Sequence, residues 1–137
     1  QEVDYRRPEG ITVKGKGFDF ASARNVARGG VVSCEWSAQM ILSLKIMAQY
    51  YQKKGVVSKA KAYEWKADDY LAHLSKMIIS SPSPSGQGHG CLPYASQDTA
   101  DTGHGWSTPK GSCTGSVSAT AYTLFAYYGY NPLELNN

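Results

Sequence analysis

Residues 81–115 read SPSPSGQGHGCLPYASQDTADTGHGWSTPKGSCTG, and this stretch decides how the rest of the chain is arranged. It shows no sustained helical or strand periodicity, and irregular segments of this length within a compact domain are usually functional or disordered. Linkers are poor in aromatic residues, cysteine and histidine, whereas this stretch holds Tyr94, Trp106, two histidines and two cysteines. We therefore expect a functional loop that caps one end of a small helical array and lines a polar cleft.

Three amphipathic segments flank this loop. Apolar residues spaced at i, i+3, i+4 and i+7 predict helices over 35–54, 58–79 and 117–128. Gly55 and Gly129 supply stops for the first and third helices. Because only a few residues join the first two helices, we expect them to be antiparallel neighbours. The first and third helices should then begin at the same end of the molecule, where the loop lies.

Residues 1–33 precede these helices and contain no helical pattern. Glycine recurs, residues 11–13 read as a short strand, and residues 18–20 alternate apolar and polar side chains. We interpret this part as an extended lead-in with at most one short strand pair. The whole chain, 1–137, is then expected to be a single all-α domain and part of a larger one.

Composition limits the partners of the chain. With 137 residues there is enough for one domain with a modest core. The net charge of +3 is small and the basic residues are scattered, so no nucleic-acid surface is expected. No apolar run approaches the roughly 18 residues that a membrane span needs, so no membrane span is expected either.

The cysteines and the first residue of the chain are informative about the cellular compartment of the protein. Three cysteines allow at most one intrachain disulfide, and Cys91 and Cys113 are the expected pair if the protein is exported. The sequence begins at Gln1 without a Met, as in a mature product or a fragment, and a removed signal sequence is compatible with this start. A periplasmic or extracellular location is favoured.

Four motifs, in order along the chain, are similar to a known family. They are GFDF (17–20), EWSAQM (35–40), DTGHGW (101–106) and SATAYTLFAYYGYNPL (118–133). Together they resemble the C-terminal part of bacterial α/α-toroid (six-hairpin) proteins of the glycoside hydrolase type. The resemblance implies antiparallel helical hairpins of the toroid type. It also implies a carbohydrate-active enzyme whose site lies where the inner helices begin.

The resemblance and the shared helix end together select seven candidate residues. Glycoside hydrolysis usually needs two carboxyl groups, one as acid and one as base or nucleophile. Aromatic rings in a cleft can stack on sugar faces, while neighbouring polar groups bind the hydroxyls. We therefore expect Glu35 with Asp98 or Asp101 as catalytic residues, and His104, Trp106, Tyr94 and Trp36 as substrate-binding residues.

Alternative chemistries have weaker support. Cys34 at a helix start, with His89 or His104 as base, would suit a cysteine nucleophile, but little sheet is predicted to carry the histidine. His89, Cys91, His104 and Cys113 are ligand types that suit zinc, but their spacing fits no usual zinc motif. No cofactor and no metal is therefore expected. The rival function is a non-catalytic helical module that binds glycan or a protein partner.

The apolar surface of the predicted helices indicates that the chain assembles with another chain or segment. The first predicted helix has apolar residues on more than one side, since Ile46 and Tyr50 fall outside the stripe of Met40 and Leu44. Helices apolar around much of their circumference are enclosed by neighbours. In the toroid interpretation the first and third helices are inner and the second is outer. The chain should then self-associate or pair with a missing N-terminal portion.

Overall fold

A computed structural model of the chain describes residues 1–80, 90–110 and 115–134. These residues form a small mixed α/β domain with one two-stranded antiparallel sheet and three helices. The elements are β1 (Glu2–Arg6), β2 (Thr12–Lys16), α1 (Cys34–Lys53), α2 (Val57–Ser75) and α3 (Val117–Tyr128).

The predicted all-α fold of toroid hairpins is wrong. The first sixteen residues form a β-hairpin whose register pairs Tyr5 with Val13 and Val3 with Gly15. Side chains alternate between the two faces of a strand, and this alternation turns Tyr5 into the core, where it is buried. Among the described residues α1 and α2 form the only helical hairpin, and α3 packs on α1 as a single helix. A toroid needs repeated hairpins.

The helix boundaries follow from local capping. The Ser33 side chain accepts a hydrogen bond from the Trp36 N–H at the start of α1, and Ser116 accepts one from Ala119 at the start of α3. Gly129 ends α3 with φ 68, a left-handed conformation that favours glycine. The prediction for α3 is confirmed, and α1 is shifted by one residue from its predicted range.

The second helix ends earlier than predicted, at Ser75 rather than at residue 79. Beyond it, the backbone of Ile79 pairs with Cys91 through two hydrogen bonds of 2.9 and 3.2 Å. Met77 and Ile79 are both buried. Their apolar side chains therefore reach the core from an extended segment, which helical periodicity alone cannot reveal.

The core lies around α1, which packs against both α2 and α3. The buried face of α1 consists of Cys34, Ser37, Ala38, Ile41 and Leu42. The apolar stripe that the sequence predicted for α1 does not coincide with this buried face. Two of its residues are not buried, since Met40 is exposed and Trp36 is only half-buried. Small residues on the buried face let neighbouring backbone come close, as shown by the Ser37 hydroxyl, which accepts a hydrogen bond from the Phe18 N–H at 2.9 Å.

The start of α1 is where the lead-in, the loop and α3 meet. Backbone hydrogen bonds join Ser33 to Phe18, Cys34 to Tyr94, and Ser116 to Leu92. The Ser118 hydroxyl of α3 also donates to Glu35 of α1 at 2.6 Å. The predicted common end of α1 and α3 is therefore confirmed. None of the helices in the described residues is long and apolar enough to cross a membrane.

Candidate functional site

Five aromatic side chains at the common end of α1 and α3 form a closed circle of contacts, here called the aromatic cluster. Ring centroids are 5.2 Å apart for Phe20 and Trp36, 5.6 Å for Trp36 and His104, and 5.4 Å for His104 and Trp106. The Trp106 indole N–H donates to the Tyr94 hydroxyl at 3.3 Å, and Tyr94 stacks on Phe20 at 5.7 Å. All four residues predicted to bind substrate are thus brought together.

The aromatic cluster is layered from core to solvent. Phe20 is buried and packs with Val31, Ala95 and Ala100, and Trp36 and Tyr94 are half-buried against this base. His104 is exposed, and Trp106 is 46% exposed. The outer rings of His104 and Trp106 are nearly parallel, with 29° between their planes. The result is a solvent-exposed aromatic surface that packs on the half-buried Trp36 and Tyr94 and, beneath them, on the buried Phe20.

The loop that presents Trp106 is fixed by two buried threonines. The Thr102 hydroxyl donates to the Trp106 carbonyl at 2.6 Å. The Thr108 hydroxyl donates to the Gln97 carbonyl at 2.6 Å and accepts from the Ala100 N–H at 2.9 Å. Buried hydroxyls with these partners satisfy backbone groups that would otherwise be left unpaired. These hydrogen bonds therefore position the backbone that carries Trp106, although the loop belongs to no helix or strand.

Gly103 lets this loop approach the lead-in closely. Its φ is 77, and a Cβ at this position would lie 2.9 Å from both the Ala21 Cβ and the Val26 side chain. Only glycine meets both the conformational and the steric requirement. The neighbouring Asp101 supports the turn, because its carboxylate accepts a hydrogen bond from the Gly103 N–H at 2.8 Å.

The tautomer of His104 follows from its partner. The Nε2 atom lies 2.7 Å from the Phe20 carbonyl oxygen, which can only accept a hydrogen bond, so Nε2 carries a proton. In the neutral ring this leaves Nδ1 as an acceptor. The exposed histidine can therefore accept a hydrogen bond from a ligand hydroxyl at the edge of the aromatic cluster.

Comparison of the chain with protein-family models, curated proteins and solved structures found no match. The site is therefore interpreted from its own geometry. Flat, exposed rings beside a small number of hydrogen-bonding groups suit a ligand that has both an apolar face and hydroxyl groups.

Glu35, the predicted catalytic carboxylate, lies in the first turn of α1 and joins this helix to α3. It accepts hydrogen bonds from the Ser118 hydroxyl at 2.6 Å and from the Gln39 side chain at 3.2 Å. Each contact uses a different carboxylate oxygen. Trp36, the next residue, belongs to the aromatic cluster, but the observed contacts of the Glu35 carboxyl group are with Ser118 and Gln39.

The two predicted aspartates have different surroundings. Asp101 is exposed, and its carboxylate stabilises the turn at Gly103. Asp98 is half-buried, and its negative charge helps to raise the pKa of Tyr5, after the larger effect of burial of that phenol. Both aspartates lie on the segment that carries Trp106.

The described residues do not favour the two alternative chemistries, a cysteine nucleophile and a zinc site. Cys34 is fully buried, and burial raises the pKa of its thiol well above the usual range, so it is unsuited to act as a nucleophile. Within residues 1–80, 90–110 and 115–134, no group of three or more His, Cys, Asp or Glu residues could hold a metal ion. Cys91 has a free thiol. The other residues of these hypotheses, His89 and Cys113, lie outside the described residues.

Asp19 supports the base of the aromatic cluster, and the sequence analysis missed it. Its carboxylate pairs with Arg28 at 2.6 Å and accepts a hydrogen bond from the Val31 N–H at 3.0 Å. Burial alone would raise the pKa of Asp19, but the hydrogen bonds from Arg28, Gln1 and Val31 outweigh it and hold this pKa well below its usual range. The only sequence signal was the GFDF motif, in which Asp19 separates two aromatic residues.

A groove lies away from the aromatic cluster, toward the C-terminal ends of α1 and α3. Its volume is about 640 Å³, and Lys45, Lys53, Glu64, Asp68 and Tyr128 are among the residues that line it. It contains none of the predicted site residues. Its charged groups come from α1 and α2, and the C-terminal end of α3 adds the uncharged Tyr127 and Tyr128. We place the candidate site at the aromatic cluster because its polar and aromatic groups converge there.

Proposed function

We propose that this chain binds carbohydrate at the aromatic cluster. The observation that carries the proposal is the pair of stacked, exposed rings, His104 and Trp106, held on a fixed loop above a buried aromatic base. The apolar face of a pyranose ring can lie on such a surface, while its hydroxyls bind the His104 Nδ1, the Tyr94 hydroxyl and the Asp101 carboxylate. The four-motif resemblance to glycoside hydrolase-type proteins also favours a carbohydrate ligand.

The charges around the site favour neutral sugars. Arg28 contacts this loop by donating to the Asp101 carbonyl, but its guanidinium is already paired with Asp19. The carboxylate of an acidic sugar would therefore find no unpaired guanidinium at Arg28. The exposed Asp101 carboxylate would also repel it. We accordingly expect gluco-, manno- or xylo-oligosaccharides to bind better than uronic-acid oligomers.

Hydrolysis is the second candidate function. It is favoured by the position of Glu35, which directly precedes Trp36 of the aromatic cluster and lies at the same helix end. Asp98 or Asp101 would supply the second carboxyl group that glycoside hydrolysis needs. For this role Glu35 would have to act while Ser118 and Gln39 hold its oxygens, which is why we rank binding first.

Isothermal titration with a panel of neutral oligosaccharides tests the binding proposal. Trp106→Ala should weaken binding at least about tenfold, equivalent to about 1.4 kcal/mol. The matched control is Trp65→Ala, since Trp65 is 67% exposed on α2 and lies outside the aromatic cluster. The proposal fails if no neutral oligosaccharide binds at millimolar concentration, or if the Trp106 variant binds as tightly as the parent.

Release of reducing sugar from the best-bound oligosaccharide tests hydrolysis separately. Turnover that Glu35→Gln abolishes, with binding retained, would support catalysis by Glu35. Binding without turnover in the parent protein would leave a carbohydrate-binding module.

A further inference from the structure

Helix α3 has an unusual composition for a helix at a protein surface. Its sequence is VSATAYTLFAYY, and it is the only helix of the described residues without Asp, Glu, Lys or Arg. On the inner side Ala119 and Ala126 are fully buried, and Tyr122 and Phe125 pack against the core. One side of this uncharged helix is therefore fixed to the rest of the domain.

The outer side of α3 is apolar and open to solvent. Val117 is 87% exposed, Leu124 52% and Tyr128 76%. With the half-buried Ala121 they are spaced i, i+4, i+7 and i+11, which places them along one face of a helix. We call these four residues the outer stripe. Apolar residues at this spacing predicted the third helix, and periodicity of this kind normally indicates a covered face.

The exposed apolar area around the outer stripe is large for a monomer. At about 200 Å² for a whole aromatic side chain, Tyr127, Tyr128 and Tyr130 alone expose on the order of 400 Å². Val117, Leu124 and Leu133 add to this area. The largest apolar patch on a typical monomer is about 300–600 Å² and is often functional. The three tyrosines thus expose about half of the roughly 800 Å² that each partner contributes to a standard protein interface.

We propose that the outer stripe is the contact surface between two copies of this chain, with the two α3 helices antiparallel across a two-fold axis. An antiparallel pair centred between residues 122 and 123 places Ala121 opposite Leu124 of the second copy. It places Val117 opposite Tyr128. Each contact then joins a smaller side chain to a larger one, so the stripe is complementary to itself.

The absence of charge on α3 favours a second copy as the occupant. A two-fold interface brings each residue near its own symmetry-related copy, so charges close to the axis meet like charges. α3 carries no charged side chain, so none of its own residues would meet a like charge near the axis. The small net charge of +3 adds little long-range repulsion between copies.

Sedimentation equilibrium over a wide concentration range tests the proposal. The parent protein should approach twice its monomer mass of 14.9 kDa. Leu124→Lys should raise the dimer dissociation constant at least about a hundredfold, because it buries an unpaired charge at the interface. Leu124 is half-exposed in the single chain, so far-UV circular dichroism should show that the variant keeps its helices. The matched control is Trp65→Lys on α2, which should leave the mass unchanged.

Disulfide cross-linking tests the antiparallel register in a background with Cys91→Ser and Cys113→Ser. A mixture of Val117→Cys and Tyr128→Cys proteins should form a covalent dimer faster than either protein alone. A monomer at the highest concentration would overturn the proposal. A dimer that persists in the Leu124→Lys variant would also overturn it, because its interface would lie elsewhere. A monomer whose outer stripe binds a different protein would overturn it as well.

Discussion

At the scale of single residues, the contact between Glu35 and Ser118 connects two helix starts. The hydroxyl donates to the carboxylate at 2.6 Å, and the residues are 83 positions apart in sequence. Hydrogen bonds to charged groups contribute about 1.5–3 kcal/mol, more than those between neutral groups. Glu35 therefore has a structural role whether or not it is catalytic.

We expect Glu35→Ala and Ser118→Ala each to lower the free energy of unfolding by about 1–2 kcal/mol. The double variant should lose less than the sum, with a coupling energy of about 1 kcal/mol, because both substitutions remove the same hydrogen bond. Urea unfolding of the four proteins measures this. Ser43→Ala, an exposed position on α1, is the control and should have little effect. Additive losses would show that the contact contributes nothing to stability.

At the scale of elements, the loop over residues 101–108 is the part of the site that sequence periodicity describes least. It has no regular structure, yet its threonines and Asp101 determine where His104 and Trp106 lie. Two glycines in it, Gly103 and Gly105, have positive φ values of 77 and 88. The two glycines share the same backbone strain but differ in crowding. A Cβ at Gly103 would contact Ala21 and Val26, whereas a Cβ at Gly105 would have no neighbour within 4 Å.

Gly105→Ala should cost about 1 kcal/mol, the strain of a left-handed alanine. Gly103→Ala should cost about 2–4 kcal/mol, because the steric clash adds to the same strain. Urea unfolding measures both, and near-UV circular dichroism should report displaced tryptophan rings only for Gly103→Ala. Equal costs for the two variants would mean that the loop moves away from the lead-in without penalty.

At the scale of the whole molecule, acid should destabilise this domain mainly through Asp19, and the exposed Glu9 should contribute less because solvent screens its contacts. Hydrogen bonds from the Ser80 hydroxyl and N–H lower the pKa of Glu9 to about 2. After the opposing effect of burial, hydrogen bonds from Arg28, Gln1 and Val31 hold the pKa of Asp19 well below its usual range. The Glu9 contact ties the N-terminal hairpin to Ser80, whereas the Asp19 contacts join residues 1, 28 and 31 within the N-terminal third of the chain.

A carboxylate whose pKa is lower in the folded state binds a proton more readily when unfolded. Its stabilising effect is complete above the unfolded pKa of about 4 and is lost as the pH falls toward the folded value. We therefore expect constant stability from pH 7 to about 5 and a steep loss between about 4 and 2. Asp19→Asn should cost about 3 kcal/mol at pH 7 by leaving Arg28 unpaired, and should flatten this loss.

Thermal unfolding scans of the parent and Asp19→Asn between pH 2 and 7 measure the difference. The surface pair of Asp4 with Lys14 supplies the control, since both side chains are more than 60% exposed. Asp4→Asn should leave the profile nearly unchanged. An Asp19→Asn profile as steep as that of the parent would assign the acid sensitivity to other groups.

The sequence by itself determined the local features of this protein. The 3.6-residue periodicity located three helices, and the glycines at 55 and 129 marked the ends of the first and third, because helical hydrogen bonds and caps join residues only a few positions apart. The composition of the loop selected Tyr94, His104 and Trp106, and the short turn at Gly55 placed the starts of α1 and α3 together.

Only the tertiary structure decided the features that depend on distant residues. The hairpin at residues 2–16 made the fold mixed rather than all-α. The pairing of Ile79 with Cys91 ended α2 early, and the fully buried position of Cys34 excluded it as a nucleophile. His104 was known to lie in the loop, but its hydrogen bond to Phe20 spans 84 positions. Such contacts depend on how whole elements pack, because a periodic pattern shows which side chains are apolar and not which neighbour covers them.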